Sequence, residues 1–109
     1  KRVPIVETPE LNGSQELIQK LNRETAKIPW KELQRFFASG NAIFVEETLD
    51  LIQVAAKFAH DDAQEIEHLM QQNRVKPVDD GIAAAWLKND LTVWAVVVSP
   101  WVLVQLVSR

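Results

Sequence analysis

Apolar residues recur at helical spacing through the middle of the chain. In Leu49 to Val78, LDLIQVAAKFAHDDAQEIEHLMQQNRVKPV, the residues Leu51, Ala55 and Phe58 fall on one face. Ile52 and Val54 flank them, while Gln53, Lys57 and His60 fall opposite, so an amphipathic helix is predicted from about Asp50 to His60. Thr48 or Asp50 supplies an acceptor for its first free N–H groups. His60-Asp61-Asp62 interrupts the apolar run, and Asp61 reads as the N-cap of a second helix reaching about Gln72. Ala63, Ile66, Leu69 and Met70 form its inward face. Asn73 is suited to the left-handed conformation that stops a helix. Arg74 to Val78 then alternates like a short strand, with Pro77 favouring a strand edge or end.

Upstream, Lys1 to Gly13 holds Pro4, Pro9 and Gly13 with no sustained period and reads as an arm. Ser14 is the expected N-cap of a helix whose apolar stripe is Leu17, Ile18, Leu21 and Ile28. Thr25 interrupts that stripe, so the helix needs a partner surface. Ile28-Pro29 marks a boundary, because the residue before proline avoids helical angles while Pro29 suits a first helical turn. A helix is therefore expected over Pro29 to Ala38, with Trp30, Leu33 and Phe37 inward and Gly40 as its left-handed cap. Ala42 to Val45 reads as a strand.

Downstream, Asp79 is placed to cap a helix from Asp80 to Lys88, with Ile82, Ala85 and Trp86 inward. Asn89-Asp90 signals a turn. Leu91 to Val107 carries no charge and contains seven valines. The run sits at the short end of the roughly 17–25 residues a membrane helix needs, and its proline, glutamine and valines fit strands better. The main reading is a strand over Leu91 to Val98 and another over Trp101 to Val107. Ser99-Pro100 suits a two-residue hairpin poorly, since proline forbids positive φ. The competing reading makes Ser99 an N-cap and the tail a helix.

Taken from Pro29, the order helix, strand, helix, helix, strand, strand matches a winged helix, with Asp80 to Lys88 as an inserted helix where the wing normally lies. The expectation is an α+β fold with a winged helix-turn-helix-like core, an extra N-terminal helix and a small antiparallel sheet. The arm would cover residues 1–13 and a single domain residues 14–109, in keeping with a length of 109 residues.

At IPWKELQRFF, LDLIQVAAKFAHDD and WAVVVSPWVLVQ the chain resembles a family of small bacterial proteins of unknown function. The resemblance covers most of Ile28 to Gln105. It implies a bacterial, cytoplasmic origin and carries over no catalytic residue.

Charge changes the picture more than composition does. The net charge is −3, but Lys20, Arg23, Lys27, Lys31 and Arg35 face only Glu24 and Glu32 between residues 20 and 35, a local net of +3. From Glu46 to Asp90 ten acids face Lys57, Arg74, Lys76 and Lys88, a local net of −6. A phosphate backbone would be repelled by the second half. The unevenness reads either as an ordinary solvated surface or as two complementary patches used in association.

Candidate chemistry is sparse. There is no cysteine, which removes disulfides and thiolate metal sites and fits a reducing cytoplasm. No signal peptide is visible, and a start at Lys1-Arg2 without methionine reads as a trimmed terminus or part of a longer chain. Glu65 and His68 make a single Glu-x-x-His pair, whereas a carboxylate-bridged di-metal site needs two. Both histidines, His60 and His68, are expected to face solvent. No serine lies in a nucleophile elbow, and the three glycines are isolated, so no phosphate cradle is formed. Glu46-Glu47 would point to opposite faces of a strand. No enzyme, cofactor or metal is expected.

In a helix-turn-helix the second helix would read DNA, and its exposed Gln64, Gln71 and Gln72 suit adenine. Yet Glu65 and Glu67, with no Lys or Arg in that helix, would face phosphate oxygens. The expectation is a non-catalytic protein-interaction module, self-associating or taking a protein partner, with Glu65, Glu67, His68, Gln71, Trp94 and Trp101 as candidate contacts. Its acidic helix and apolar C-terminal strand would carry them. The alternative is a nucleic-acid-associated regulator using Lys20, Arg23, Lys27, Lys31 and Arg35. Trp30 and Trp86 are assigned to the core, while Trp94 or Trp101 is left for an interface.

Overall fold

A valine-rich hairpin lies at the heart of the sheet. The computed structural model describes residues 13–107, and the arm expected at 1–13 lies, apart from Gly13, outside them. The elements are α1 (Gly13–Glu24), β1 (Ala26–Pro29), a 3-10 turn (Trp30–Leu33), α2 (Gln34–Ala38), β2 (Ala42–Val45), α3 (Leu51–Ala59), α4 (Ala63–Gln71), β3 (Val75–Pro77), α5 (Asp80–Lys88), β4 (Thr92–Val98) and β5 (Trp101–Leu106). The strands form one sheet in the order β1-β4-β5-β2-β3. All neighbours are antiparallel except β5 and β2, which run parallel with Ile43 opposite Leu103.

Alternation along the central strands sends side chains to two cores. Val93, Ala95, Val102 and Val104 face Trp30, Leu33, Ala83 and Trp86. Val96, Leu103, Ile43 and Val45 face Leu21, Leu51, Val54 and Ala55. Helices therefore cover both faces. One face carries the 3-10 turn with α2 and α5, and the other carries α1, α3 and α4, with α3 between its two neighbours. Strands buried on both faces need apolar residues at nearly every position, which accounts for the valine run. On the first face Trp30 is fully buried, and its indole Nε1 donates to the Ala83 carbonyl at 3.1 Å. Trp86 meets it edge-on with ring centroids 5.1 Å apart.

The fold is mixed α+β, but the winged-helix-like core is not confirmed. A winged helix sets a small antiparallel hairpin beside a helical bundle, whereas this sheet is five-stranded, mixed and covered on both sides. Several local expectations change with it. β1 was not foreseen: Ile28 belongs to this edge strand rather than to the first helix, and Pro29 both closes the strand and stands as N-cap of the 3-10 turn that runs on into α2. Ser14 falls inside α1. The cap of α4 is Asp62, whose carboxylate accepts from Glu65 N at 3.3 Å. Asp61 holds the left-handed corner, φ 56°, before it. The tail is a strand, joined to β4 by a tight turn at Ser99-Pro100, where the peptide bond is cis.

Other expectations hold in detail. Asp50 caps α3 through Ile52 N at 3.0 Å, and Asp79 caps α5 through Ile82 N at 2.8 Å. Gly40 and Asn73 are left-handed, with φ 77° and 60°.

Candidate interaction surface

The β4–β5 hairpin folds Trp101 back against the end of α3. Its ring meets Phe58 edge-on, centroids 6.4 Å apart. Beside this pair α4 turns Ala63, Ile66 and Met70 toward the same space, and the result is an open groove of about 440 Å³. Asp61 and Glu67 stand at its rim. Trp101, Ile66 and Met70 are each only half-buried, so the apolar floor remains in contact with water. Across the hairpin tip a second hollow, of about 500 Å³, is lined by Leu17, Ala59 and Val97. Val97 is 50% exposed, one of two large apolar side chains so open among the described residues.

The candidate contact residues divide. Glu67 and Trp101 share the groove. Glu65 lies on the other flank of α4, with its carboxylate 3.9 Å from Lys57 Nζ. His68 is exposed and its ring Nε2 lies 3.3 Å from the Gln72 amide nitrogen, while Gln71 is simply exposed. Trp94 sits elsewhere, half-buried under Lys27, whose ammonium is 5.1 Å from the ring centroid. It lines a separate cleft of about 440 Å³ with Asn22, Asp50 and Gln105. There Gln105, 9% exposed, donates to the carbonyls of Leu49 at 2.7 Å and Glu46 at 3.0 Å. Asp50 is engaged in capping α3, so the cleft offers few free polar groups.

Sequence reading missed Asp61 as a rim residue, and it assigned Phe58, Ile66 and Met70 wholly to the interior. The apolar C-terminal strand is also corrected as a contact surface. β5 is the middle strand and β4 lies inside β1, so neither presents a free backbone edge. What reaches solvent is the hairpin tip at Val97, with Thr92 and the half-buried Trp94 further along β4.

The five basic residues are all exposed: Lys20 and Arg23 on α1, Lys27 on the edge strand β1, Lys31 in the 3-10 turn and Arg35 on α2. They sit on the elements before, in and after β1, with α1 and α2 on opposite faces of the sheet and Lys20 lining the hairpin-tip hollow. Arg35 lies over the Phe36 ring at 5.1 Å.

Titration is perturbed at Glu46. A hydrogen bond from the Thr48 hydroxyl, and then the Arg74 guanidinium at 3.4 Å, hold its carboxyl below the ordinary value, against a partial opposing effect of burial. This cluster ties the β2–α3 turn to the start of β3 and faces no cavity described above. Among the described residues no group of three or more His, Asp and Glu side chains is placed to hold a metal ion. Nor is any helix there long and apolar enough to cross a membrane.

A family model described as a protein of unknown function, DUF2288, matches residues 16–106. The chain belongs to this family. No curated protein matches it. Among solved structures it is similar to PA1075 from Pseudomonas aeruginosa, determined in solution by NMR, with 37% identity and a TM-score of 0.76. That likeness covers 94% of this chain and 95% of PA1075, so the two share the whole layered domain. The DUF2288 match takes in every strand and all of α2 to α5, the groove residues included.

Proposed function

We propose that this DUF2288 domain is a non-catalytic protein-interaction module that self-associates through the hairpin-tip surface. The supporting observation is Trp101, half-exposed on an apolar floor with Phe58, Ile66 and Met70 and rimmed by Asp61 and Glu67. A tryptophan in a shallow apolar groove with a charged rim has the composition of a binding hot spot. Such a surface recovers the cost of its exposure when a partner covers it. The setting we propose is the bacterial cytoplasm, in keeping with the absence of cysteine and with the bacterial relative.

Light scattering of the full chain across the micromolar range tests the reading. A mass that rises above one chain with concentration is expected. Trp101→Ala should move that rise to higher concentration. A mass of one chain throughout would count against self-association.

The exposure of all five basic residues on the elements flanking and forming β1 favours a second reading, a nucleic-acid-associated regulator that binds through the β1 edge. It requires binding that weakens steeply with salt and disappears in Arg23→Glu, Lys27→Glu. Undetectable binding to duplex and single strands at low salt would remove it.

A further inference from the structure

The acidic rim and the basic edge stand on different elements, Asp61 and Glu67 at α4 and Arg23, Lys27 and Lys31 around β1. We infer that copies of this chain associate head to tail, the Trp101 groove of one taking the basic β1 edge of the next. This rests on the self-association proposed above and specifies its geometry.

Charge is the first support. Asp61 and Glu67 put two carboxylates at the groove, while Arg23, Lys27 and Lys31 put three exposed cations before, in and after the β1 edge. α1, which carries Arg23, and α4, which carries Glu67, each pack against α3. Neither Asp61 nor Glu67 enters an ion pair among the described residues, nor do Lys20, Arg23 or Lys31.

Shape and chemistry agree. The long alkyl stems of lysine and arginine suit an apolar floor, with the cationic heads at the acidic rim. Lys27 over Trp94 and Arg35 over Phe36 display the same cation-on-ring contact within the chain. The half-exposed face of Trp101 offers it to a neighbour.

Strand pairing between copies is disfavoured. The two edge strands are only four and three residues long, and each contains a lysine and a proline, Lys27 with Pro29 and Lys76 with Pro77. These features blunt an edge against further pairing. A groove-to-edge contact uses two different surfaces, so it closes into a ring or extends, according to the rotation between copies.

Two variants test this. In the first, Asp61→Asn with Glu67→Lys inverts the groove; asparagine tolerates the left-handed backbone at residue 61. In the second, Arg23→Glu with Lys27→Glu inverts the edge. Each variant alone should stay at the mass of one chain where the parent associates, with an unchanged melting midpoint. An equimolar mixture should regain the parent's association, because each inverted surface then meets its complement. The parent's own association should weaken steeply with added salt. Variants that associate alone like the parent, a mixture that stays monomeric while the parent associates, or association insensitive to salt would each overturn the head-to-tail geometry and leave self-association standing. A monomeric parent would overturn both.

Discussion

The side-chain amide of Gln105 sits 2.7 Å from the carbonyl oxygen of Leu49, joining residues 56 apart in sequence. The same nitrogen donates to Glu46 O at 3.0 Å, so one buried glutamine on the central strand holds the turn that launches α3. Replacing it by leucine keeps much of the volume and leaves both carbonyls without that donor. A loss of about 1–3 kcal/mol is expected, the range for stranding buried polar groups. Urea unfolding measures it, and a midpoint equal to the parent's would show that the turn finds other partners.

The corner before α4 separates two neighbouring aspartates. Asp62 caps the helix, so Asp62→Ala should cost about 1 kcal/mol. Asp61 caps nothing and instead occupies a left-handed backbone, φ 56°. Asp61→Gly should be close to neutral, because relief of the strain is offset by a freer unfolded chain. Asp61→Val should cost about 1–2 kcal/mol, because a β-branched side chain tolerates the left-handed backbone far less well than aspartate does. Thermal midpoints of the three variants order them, and a larger loss for Asp61→Gly than for Asp62→Ala would reverse the assignment of the cap.

Glu46 gives stability a dependence on pH. Its carboxyl is held below its ordinary value of 4.5, first by the Thr48 hydroxyl and then by Arg74. In the interval between the folded and unfolded values the unfolded chain binds more protons, so stability rises with pH there. The contribution is fully present above 4.5 and is lost as pH falls through the lower folded value. Thr48→Ala removes the largest cause of the shift. Denaturation midpoints followed downward from pH 5 should therefore fall less steeply in this variant than in the parent. Parallel curves would mean that the hydroxyl does not set the titration.

Much of the local structure was legible because caps and breakers act through neighbouring residues. Asp50, Asp79, Gly40 and Asn73 all do what their types predict. What failed required distant partners. β1 has four residues and no alternation of its own, and only its register with β4, Lys27 opposite Trp94, makes it a strand. The parallel pairing of β2 with β5 joins segments nearly sixty residues apart, and no periodicity encodes it. The winged-helix expectation followed from element order alone, which does not reveal that helices cover both faces. For the candidate site, the exposure of α4's acids was visible from spacing. The turn at Ser99-Pro100 that brings Trp101 to Phe58 was not, and without it Glu67 and Trp101 have no reason to be grouped.

Two tryptophans should respond to substitution in opposite ways. Trp30 is fully buried, donates to Ala83 O at 3.1 Å and meets Phe37 and Trp86 edge-on at 6.0 and 5.1 Å. Trp30→Phe loses the indole's hydrogen bond and leaves part of its volume unfilled, a cost of about 2 kcal/mol. That change should lower the melting midpoint while leaving association of the folded chain as it was, since no atom of Trp30 reaches the surface. Trp101 is half-exposed and packs on Phe58 from one side. Trp101→Ala should cost roughly half the 3–5 kcal/mol typical of a buried aromatic and should weaken association of the chains that remain folded. Calorimetry and light scattering on the same samples separate the effects. If Trp30→Phe abolished association at a temperature where the variant is fully folded, the contact surface would have to lie over α5 rather than at the hairpin tip.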